Sequence, residues 1–219
     1  KLYVYASEYA HQFDDARGFG WNVERPAHDW SQLVSAKKNE ISRLNGIYDN
    51  LLAGANVELF NARATVVDAN TVQVGDTQVS ADKILIATGG WPFVPDIPGA
   101  ELTVTSNEIF DLDVFPKRIL IVGGGYVAVE FAGIFNGLGS QTTLSYRGDR
   151  FLKSFDQEIV SALAVEMEKS GIELALNDYP TGFSQQPDGA IQVSFKQAEP
   201  AEYDAVLMAT GRVPHVKGL

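Results

Sequence analysis

Apolar and polar positions along the first half of the chain follow a helical period and then a strand period. Residues 1–13 have the mixed apolar pattern of a helix, and Asp29 is a suitable N-cap for a longer helix that Gly54 ends. Alternating runs at residues 57–60, 64–67, 71–74 and 77–79 follow, separated by turns rich in Asp, Asn and Gly. The pattern predicts two helices and a small antiparallel β meander.

The second half alternates apolar strands with amphipathic helices. Pro92, Pro95 and Pro98 interrupt regular structure before this half and indicate a domain boundary. Ser154 and Gln157 have the spacing of a capping box for the second helix of this half. The order predicts a β-α-β-α-β sheet with an antiparallel addition. Strands are predicted at residues 118–122, 142–146, 172–176, 183–185, 191–195 and 205–209, with one helix that follows the glycines and ends at Gly139 and another at 155–169. A further apolar strand is predicted at residues 83–87, before the prolines.

Glycines join the strand at residues 118–122 to the helix that follows. Gly123 permits a tight turn, Gly125 lets a pyrophosphate approach the backbone, and Ala128 is small enough for the helix to pack on its strand. Amides in the first turn of a helix lack intrahelical partners and lie at the positive end of its dipole. The sequence therefore predicts a dinucleotide site, although a glycine turn without a ligand has the same local pattern.

The next strand carries the information on cofactor choice. A fold that binds NAD places an acidic residue about 20 positions after the first glycine to bind the ribose hydroxyls. Here Ser145, Tyr146 and Arg147 occupy that region, and Lys153 follows. A guanidinium can bind a 2′-phosphate through two charge-assisted hydrogen bonds, so we expect NADPH. Asp149 opposes this reading, and both cations could also be ordinary surface residues.

Composition narrows the classes of partner. Hydrophobic residues make up 45% and charged residues 21%, as in globular proteins, and the formal net charge is −11. Such acidity disfavours nucleic acid and anionic membranes as partners, and no apolar run predicts a membrane span or signal peptide, so a cytoplasmic location is expected. There are no cysteines, which excludes thiolate chemistry within these residues, and no metal site is predicted.

Several motifs together give a resemblance that covers the whole chain. The chain resembles the flavoprotein disulfide reductases that contain two dinucleotide folds, and within them the members that reduce glutathione disulfide. The resemblance implies an α/β fold with part of an FAD-binding domain at residues 1–90, which includes the β meander, and a Rossmann-like NADPH-binding domain at residues 91–219. The motifs are Arg43-Leu-Asn-Gly-Ile-Tyr48, Ile84-Leu-Ile-Ala-Thr-Gly-Gly90, Ile97-Pro-Gly99, Gly123-Gly-Gly-Tyr-Val-Ala-Val-Glu130, Tyr146-Arg147, Ser154-Phe-Asp156 and Ala209-Thr-Gly-Arg-Val-Pro214.

The resemblance also implies roles for single residues. Tyr126 resembles a tyrosine that covers the flavin until NADPH binds, and Glu130 an acid near the nicotinamide carboxamide. Tyr48 resembles a tyrosine between the two halves of bound glutathione disulfide, although it could also be a simple helix-face aromatic. The implied NADPH residues are Gly123, Gly125, Tyr126, Val127, Ala128, Glu130, Arg147, Lys153, Gly211 and Arg212, and the implied FAD residues are Ala64, Thr88, Gly89 and Ser106.

By the same resemblance, the parent enzyme passes electrons from NADPH through FAD and a cysteine pair to glutathione disulfide, and it is a homodimer. The cysteine pair is expected before Lys1 and the acid-base histidine after Leu219, so we expect an internal part of a longer protein with no catalytic residue of its own. Two alternatives stay open. The parent could reduce trypanothione disulfide or act on dihydrolipoamide, or the 219 residues could form an NADPH-binding module without turnover.

Overall fold

The computed structural model describes residues 1–24 and 26–219. The helices are α1 Leu2–Gly18, α2 Trp30–Gly54, α3 Tyr126–Leu138 and α4 Gln157–Lys169, with short 3-10 turns at Ala100–Leu102 and Ile109–Asp111. The strands are β1 Ala64–Val66, β2 Thr71–Val74, β3 Thr77–Ser80, β4 Gly90–Pro92, β5 Arg118–Val122, β6 Gln141–Tyr146, β7 Glu173–Leu176, β8 Pro180–Gln185, β9 Ile191–Phe195, β10 Ala201–Tyr203, β11 Ala205–Met208 and β12 Arg212–Pro214. The predicted mixed α/β class is confirmed.

A parallel sheet of four strands, in the order β11-β5-β6-β7, forms the centre of the first compact unit. This unit comprises Lys1–Ser35 and Pro92–Gly211. The predicted β-α-β-α-β order is confirmed, because α3 follows β5 and α4 follows β6. Ile119, Leu120 and Ile121 are 0% exposed, as expected for a strand covered on both faces of a parallel sheet.

Different layers cover the two faces of the parallel sheet. Helix α3 covers one face, where Phe131 and Phe135 join Ile119 and Ile121 in a core cluster. The antiparallel sheet β8-β9-β10 supplies the cluster on the other face. In that second cluster, Leu120, Val122, Val206 and Met208 of the parallel sheet pack with Phe183, Ile191, Val193 and Tyr203.

The first helix packs on α3 and so belongs to the same unit. A Cβ added at Gly137 of α3 would lie 2.8 Å from the Cβ of Ser7, so the glycine permits a close approach of the two helices. The buried Tyr3 hydroxyl donates to the carbonyl of Phe110 at 2.6 Å. Burial, with a smaller contribution from the charge of Asp111, raises the pKa of Tyr3 to about 12. Residues 1–35 therefore pack with residues 92–211 in one compact unit.

The second compact unit comprises Ala36–Trp91 and Arg212–Leu219. It contains most of α2, the antiparallel meander β1-β2-β3 and the pairing of β12 with β4. The predicted meander is confirmed in its last three strands. Assignment of this part of the chain to an FAD-binding domain stays a prediction.

Two predicted strands are wrong. Residues 57–60 and 83–87 have no strand structure and belong to none of the four sheets of the described residues. Leu85 in the second run is 89% exposed. A strand needs a neighbour to pair its backbone amides and carbonyls, so an apolar run alone does not make one. The short strands β4, β10 and β12 lack a long apolar run and were not predicted.

The helix caps were predicted with mixed success. The carboxylate of Asp29 accepts a hydrogen bond from the amide of Gln32 at 3.0 Å, which confirms the predicted N-cap of α2. The capping box of Ser154 is wrong, because Asp156 caps α4 and accepts from the amides of Glu158 and Ile159. None of the helices in the described part of the chain is long and apolar enough to cross a membrane.

The cap of α4 gives a stability prediction. Replacing Asp156 by Ala leaves two first-turn amides without their acceptor, and we expect the free energy of unfolding to fall by about 0.5–2 kcal/mol. Asp156→Asn is the matched control and should retain most of the stability, because an asparagine oxygen can accept the same hydrogen bonds. Urea denaturation measures both variants. Equal losses for Ala and Asn would attribute the effect to the carboxylate charge and not to the cap hydrogen bonds.

Candidate functional site: a glycine-lined pocket

A pocket of about 900 Å³ lies at the carboxyl ends of β5, β6 and β11 in the first compact unit. Ligands of open α/β sheets bind at this end of the strands. The pocket wall combines the predicted glycine turn, the cation-bearing loop after β6 and the run after β11. The lining residues are Phe93, Pro95, Asp96, Ile97, Pro98, Val122, Gly123, Gly124, Gly125, Tyr126, Ser145, Tyr146, Arg147, Leu152, Lys153, Ser154, Phe155, Tyr179, Pro180, Thr181, Met208, Ala209, Thr210 and Gly211.

Position 123 requires glycine because the backbone of Ala209 lies against it. Its φ of +149° suits glycine, and a Cβ at this position would lie 2.2 Å from the carbonyl oxygen of Ala209. The amide of Gly123 donates to the carbonyl of Ser145, and that of Ala209 to the carbonyl of Val122. The turn therefore lies in the plane of the sheet, between the ends of β6 and β11.

Gly125 has a different role, because nothing in the structure crowds it. A Cβ added there would meet no heavy atom within 4 Å, and its φ of −93° suits any residue. The residue lines the pocket and is the N-cap of α3, where no side chain makes a capping hydrogen bond. Absence of a side chain keeps open the space next to the helix N-terminus, as close approach of a pyrophosphate requires.

The two predicted cations meet the pocket on the loop after β6. Arg147 and Lys153 both line it and both are exposed. The amide of Leu152 donates to the carbonyl of Gly124 at 2.7 Å, which ties this loop to the glycine turn. Asp149 does not line the pocket, whereas Asp96 on the proline-rich segment does. The loop therefore places two positive charges beside the glycine turn.

The other predicted NADPH residues occupy several positions. Tyr126 lines the pocket and is 58% exposed. Val127 and Ala128 lie in the first turn of α3, with Ala128 fully buried, and Glu130 is exposed further along the helix.

The second Ala-Thr-Gly run ends at the division between the two units. Gly211 lines the pocket at the end of the first compact unit, with a φ of +134°. Arg212 belongs to the second unit, where its guanidinium donates to the carbonyl of Gly90. Of the predicted NADPH residues in the first unit, Val127, Ala128 and Glu130 do not line the pocket, and the role of Arg212 stays a prediction.

The predicted FAD and substrate residues are not part of this pocket. Ala64 begins β1, Thr88 and Gly89 precede β4, and Gly89 has a φ of +73°. Ser106 lies in a turn of the first compact unit. Tyr48 lies on α2 and is 63% exposed. The roles of these residues stay predictions.

Sequence reasoning missed several residues of the pocket wall. Phe93, Phe155 and Tyr179 supply aromatic surface, and Tyr146 supplies a ring that lies against Gly124. Position 146 had a signal, since it precedes Arg147 at the end of a predicted strand. Phe155 lies within the Ser154-Phe-Asp156 motif, but no role was predicted for it. Phe93 and Tyr179 come from loops, where no motif indicates that they line the pocket.

The sequence profile of the pyridine nucleotide-disulphide oxidoreductases matches residues 4–219. The chain therefore belongs to this family, whose members use FAD and NAD(P)H.

Individual members of the family show which enzymes the chain is similar to. The chain is 47% identical over its full length to the glutathione reductase of Burkholderia cepacia and covers 49% of that protein. It is 45% identical to the glutathione reductase of Nostoc, of which it covers 48%. It is 37% identical to the trypanothione reductase of Leishmania donovani, again covering 48%. The chain thus spans about half the length of the curated relatives it matches.

A comparison with solved structures also gives a flavoprotein disulfide reductase. The copper complex of the HOCl-induced flavoprotein disulfide reductase RclA from Escherichia coli superposes with a TM-score of 0.84 at 26% identity. The match covers 100% of this chain and 47% of the other. The similarity therefore extends over both compact units, each of which has a counterpart in a flavoprotein disulfide reductase.

Gly123 and Gly125 give a paired prediction, because one is constrained by the fold and the other is not. We expect Gly123→Ala to lower the free energy of unfolding by at least about 2 kcal/mol, since the new methyl group would overlap the Ala209 carbonyl. We expect Gly125→Ala to cost less than about 1 kcal/mol of stability, because alanine is a poorer N-cap than glycine. The variant should weaken dinucleotide binding, because its methyl group would occupy the approach to α3. Thermal unfolding and ligand titration measure the two effects. Unchanged binding in Gly125→Ala would contradict the assignment of the pocket.

Proposed function

We propose that the chain is part of an NADPH-dependent, FAD-containing reductase of glutathione disulfide, and that residues 91–219 form its NADPH-binding domain. The observation that carries the proposal is the pocket in which an open glycine turn lies beside Arg147 and Lys153. Bound NADPH would supply the reducing equivalents for the reaction. The rest of the proposal concerns what the residues of this chain do.

The pocket contains groups that could bind two anionic parts of NADPH, the pyrophosphate and the 2′-phosphate. The pyrophosphate would lie at Gly125, where the first-turn amides of α3 have no intrahelical acceptors and no Cβ blocks the approach. The 2′-phosphate would lie between Arg147 and Lys153. A guanidinium offers paired donors and an ammonium a compact charge, and both suit a phosphate better than the two hydroxyls of NADH.

At the nicotinamide end, the proposal assigns Tyr126 and Glu130. Tyr126 is the first residue of α3 and its exposed ring lines the pocket, so it can cover or uncover the entrance by a side-chain rotation. Glu130 follows one helical turn later on the same side of α3, since residues four apart are neighbours on a helix. Its carboxylate could accept a hydrogen bond from the nicotinamide carboxamide.

The flavin and substrate assignments rest on the similarity of the chain to its relatives. We infer that residues 1–90 belong to an FAD-binding domain in which Ala64, Thr88 and Gly89 line the cofactor, together with Ser106. Tyr48 would contact glutathione disulfide, and its exposure on α2 leaves the ring accessible to a ligand. The chain as written contains no cysteine, so the disulfide relay requires residues that it does not contain. A homodimer and a cytoplasmic location complete the proposal.

A specific observation supports one rival substrate. The chain is also 37% identical to a trypanothione reductase over its full length, so a related disulfide could replace glutathione disulfide. A dihydrolipoamide substrate is less well supported, because Arg147 lies where an NAD-binding protein carries an acid. By itself the 219-residue chain would act as a nucleotide-binding module.

The cofactor proposal predicts an unequal effect of a charge reversal. Arg147→Glu should weaken NADPH binding by about 1.5–3 kcal/mol, the value of a hydrogen bond to a charged group, and should change NADH binding much less. Arg150→Glu is the matched control, because it makes the same charge change three residues away on an exposed position outside the pocket. Titration of each variant with NADPH and NADH gives the dissociation constants. Equal losses for both cofactors would show that Arg147 does not read the phosphate.

The substrate proposal is tested on the longer protein with its flavin and cysteines. We expect NADPH-dependent reduction of glutathione disulfide to have a higher kcat/KM than reduction of trypanothione disulfide or lipoamide. Tyr48→Ala should raise KM for the disulfide and leave KM for NADPH unchanged, because Tyr48 lies outside the glycine-lined pocket. A higher kcat/KM for trypanothione disulfide would contradict the proposal that glutathione disulfide is the substrate. It would not affect the proposal that NADPH is the cofactor.

A further inference from the structure

The ring of Tyr146 lies between two glycines at the edge of the pocket. A Cβ added at Gly124 would lie 2.5 Å from the ring carbons Cδ2 and Cε2, and a Cβ at Gly148 would lie 2.8 Å from Cε1. Side chains are excluded at both positions unless the ring moves. The ring therefore has a defined place, in contact with the glycine turn on one side and with the cation-bearing loop on the other.

Lys153 lies over this ring. Its Nζ is 5.8 Å from the ring centroid of Tyr146, within the range of a cation–π interaction. A Cβ at Gly148 would also lie 3.3 Å from both Cε and Nζ of Lys153, so the lysine, the ring and Gly148 are packed together. An exposed lysine normally samples many rotamers, and a ring beneath its ammonium reduces that freedom.

Position 146 is the last residue of β6, in the region where NAD-binding proteins place an acid that binds the ribose hydroxyls. A carboxylate here would repel a 2′-phosphate, whereas a tyrosine ring adds no charge. The negative face of the ring instead attracts an ammonium. Tyr146, the neighbour of Arg147 in the region of that acid, therefore contacts one of the two cations.

We propose that Tyr146 is a positioning residue for the 2′-phosphate, which it serves by holding the Lys153 ammonium over its ring beside the glycine turn. The inference rests on the proposed use of NADPH. The hydrogen bond from Leu152 to Gly124 fixes the backbone next to Lys153, and the Tyr146 ring then fixes the end of the lysine side chain. Arg147 binds the phosphate from its own position and does not depend on the ring.

The test uses 2′,5′-ADP and 5′-AMP, which differ by the 2′-phosphate and carry no redox chemistry. Calorimetric titration of the wild-type protein should show tighter binding of 2′,5′-ADP, and Arg147→Glu should remove most of that preference. Tyr146→Leu should lower the preference for 2′,5′-ADP about two- to fivefold, the value expected of a surface cation–π contact, with 5′-AMP binding unchanged. Tyr146→Phe keeps the ring and should keep the preference.

A second set of variants shows whether Tyr146 acts through Lys153. Lys153→Gln should lower the preference on its own, and Tyr146→Leu should then have no further effect in that background. If Tyr146→Leu fails to fold, pentafluorophenylalanine at position 146 keeps the ring shape and reverses its quadrupole, and it should lower the preference to the same degree.

Each other outcome overturns the inference in a recognisable way. Equal weakening of both ligands by Tyr146→Leu would mean that the ring only supports the glycine turn. Loss of preference in Tyr146→Phe would assign the effect to the hydroxyl group. If Arg147→Glu and Lys153→Gln lower the preference and Tyr146→Leu does not, only the positioning role fails. If the wild-type protein does not prefer 2′,5′-ADP, the NADPH proposal fails and the positioning role fails with it.

Discussion

The close contact between Gly123 and the backbone of Ala209 is the constraint on which the pocket depends. Strands β5 and β11 are paired in parallel, with Val122 opposite Met208, and both strands end at this contact. A side chain at position 123 would meet the Ala209 carbonyl and push the two strands apart. Separation of the strands would also uncover Leu120 and Val206, which are 0% exposed and belong to the same core. The site is therefore built on a fully buried part of the first compact unit.

The two layers on the sheet explain why the pocket lies at one end of the strands. Helix α3 fills one face of β5 with Phe131 and Phe135, and the antiparallel sheet fills the other face with Phe183 and Val193. Neither face is accessible to a ligand. At the carboxyl ends of the strands the chain leaves the sheet through glycines and loops, and these segments line the pocket.

The fold was predictable where the signal was local. The period of the apolar residues and the glycine after β5 indicated α3 correctly, because a helix satisfies its own backbone hydrogen bonds. The apolar runs at 57–60 and 83–87 have the same composition as true strands, but pairing depends on a neighbour that no local pattern reveals. The cap of α4 was misplaced for a related reason, since Ser154 and Asp156 are both good cap residues and the loop geometry selects Asp156.

The residues of the site that belong to the glycine motif or follow β6 were predictable from residue type and spacing. Contacts between side chains at distant positions were not. Gly123, Gly125, Arg147 and Lys153 all line one pocket, as their places around β5 and β6 suggested. Gly124 shows the limit, because the motif leaves its position free for any residue. In the structure a Cβ there would meet the Tyr146 ring at 2.5 Å, so the ring determines that this residue is glycine. The middle glycine of the turn, Gly124, is thus explained by a side chain at the end of the next strand.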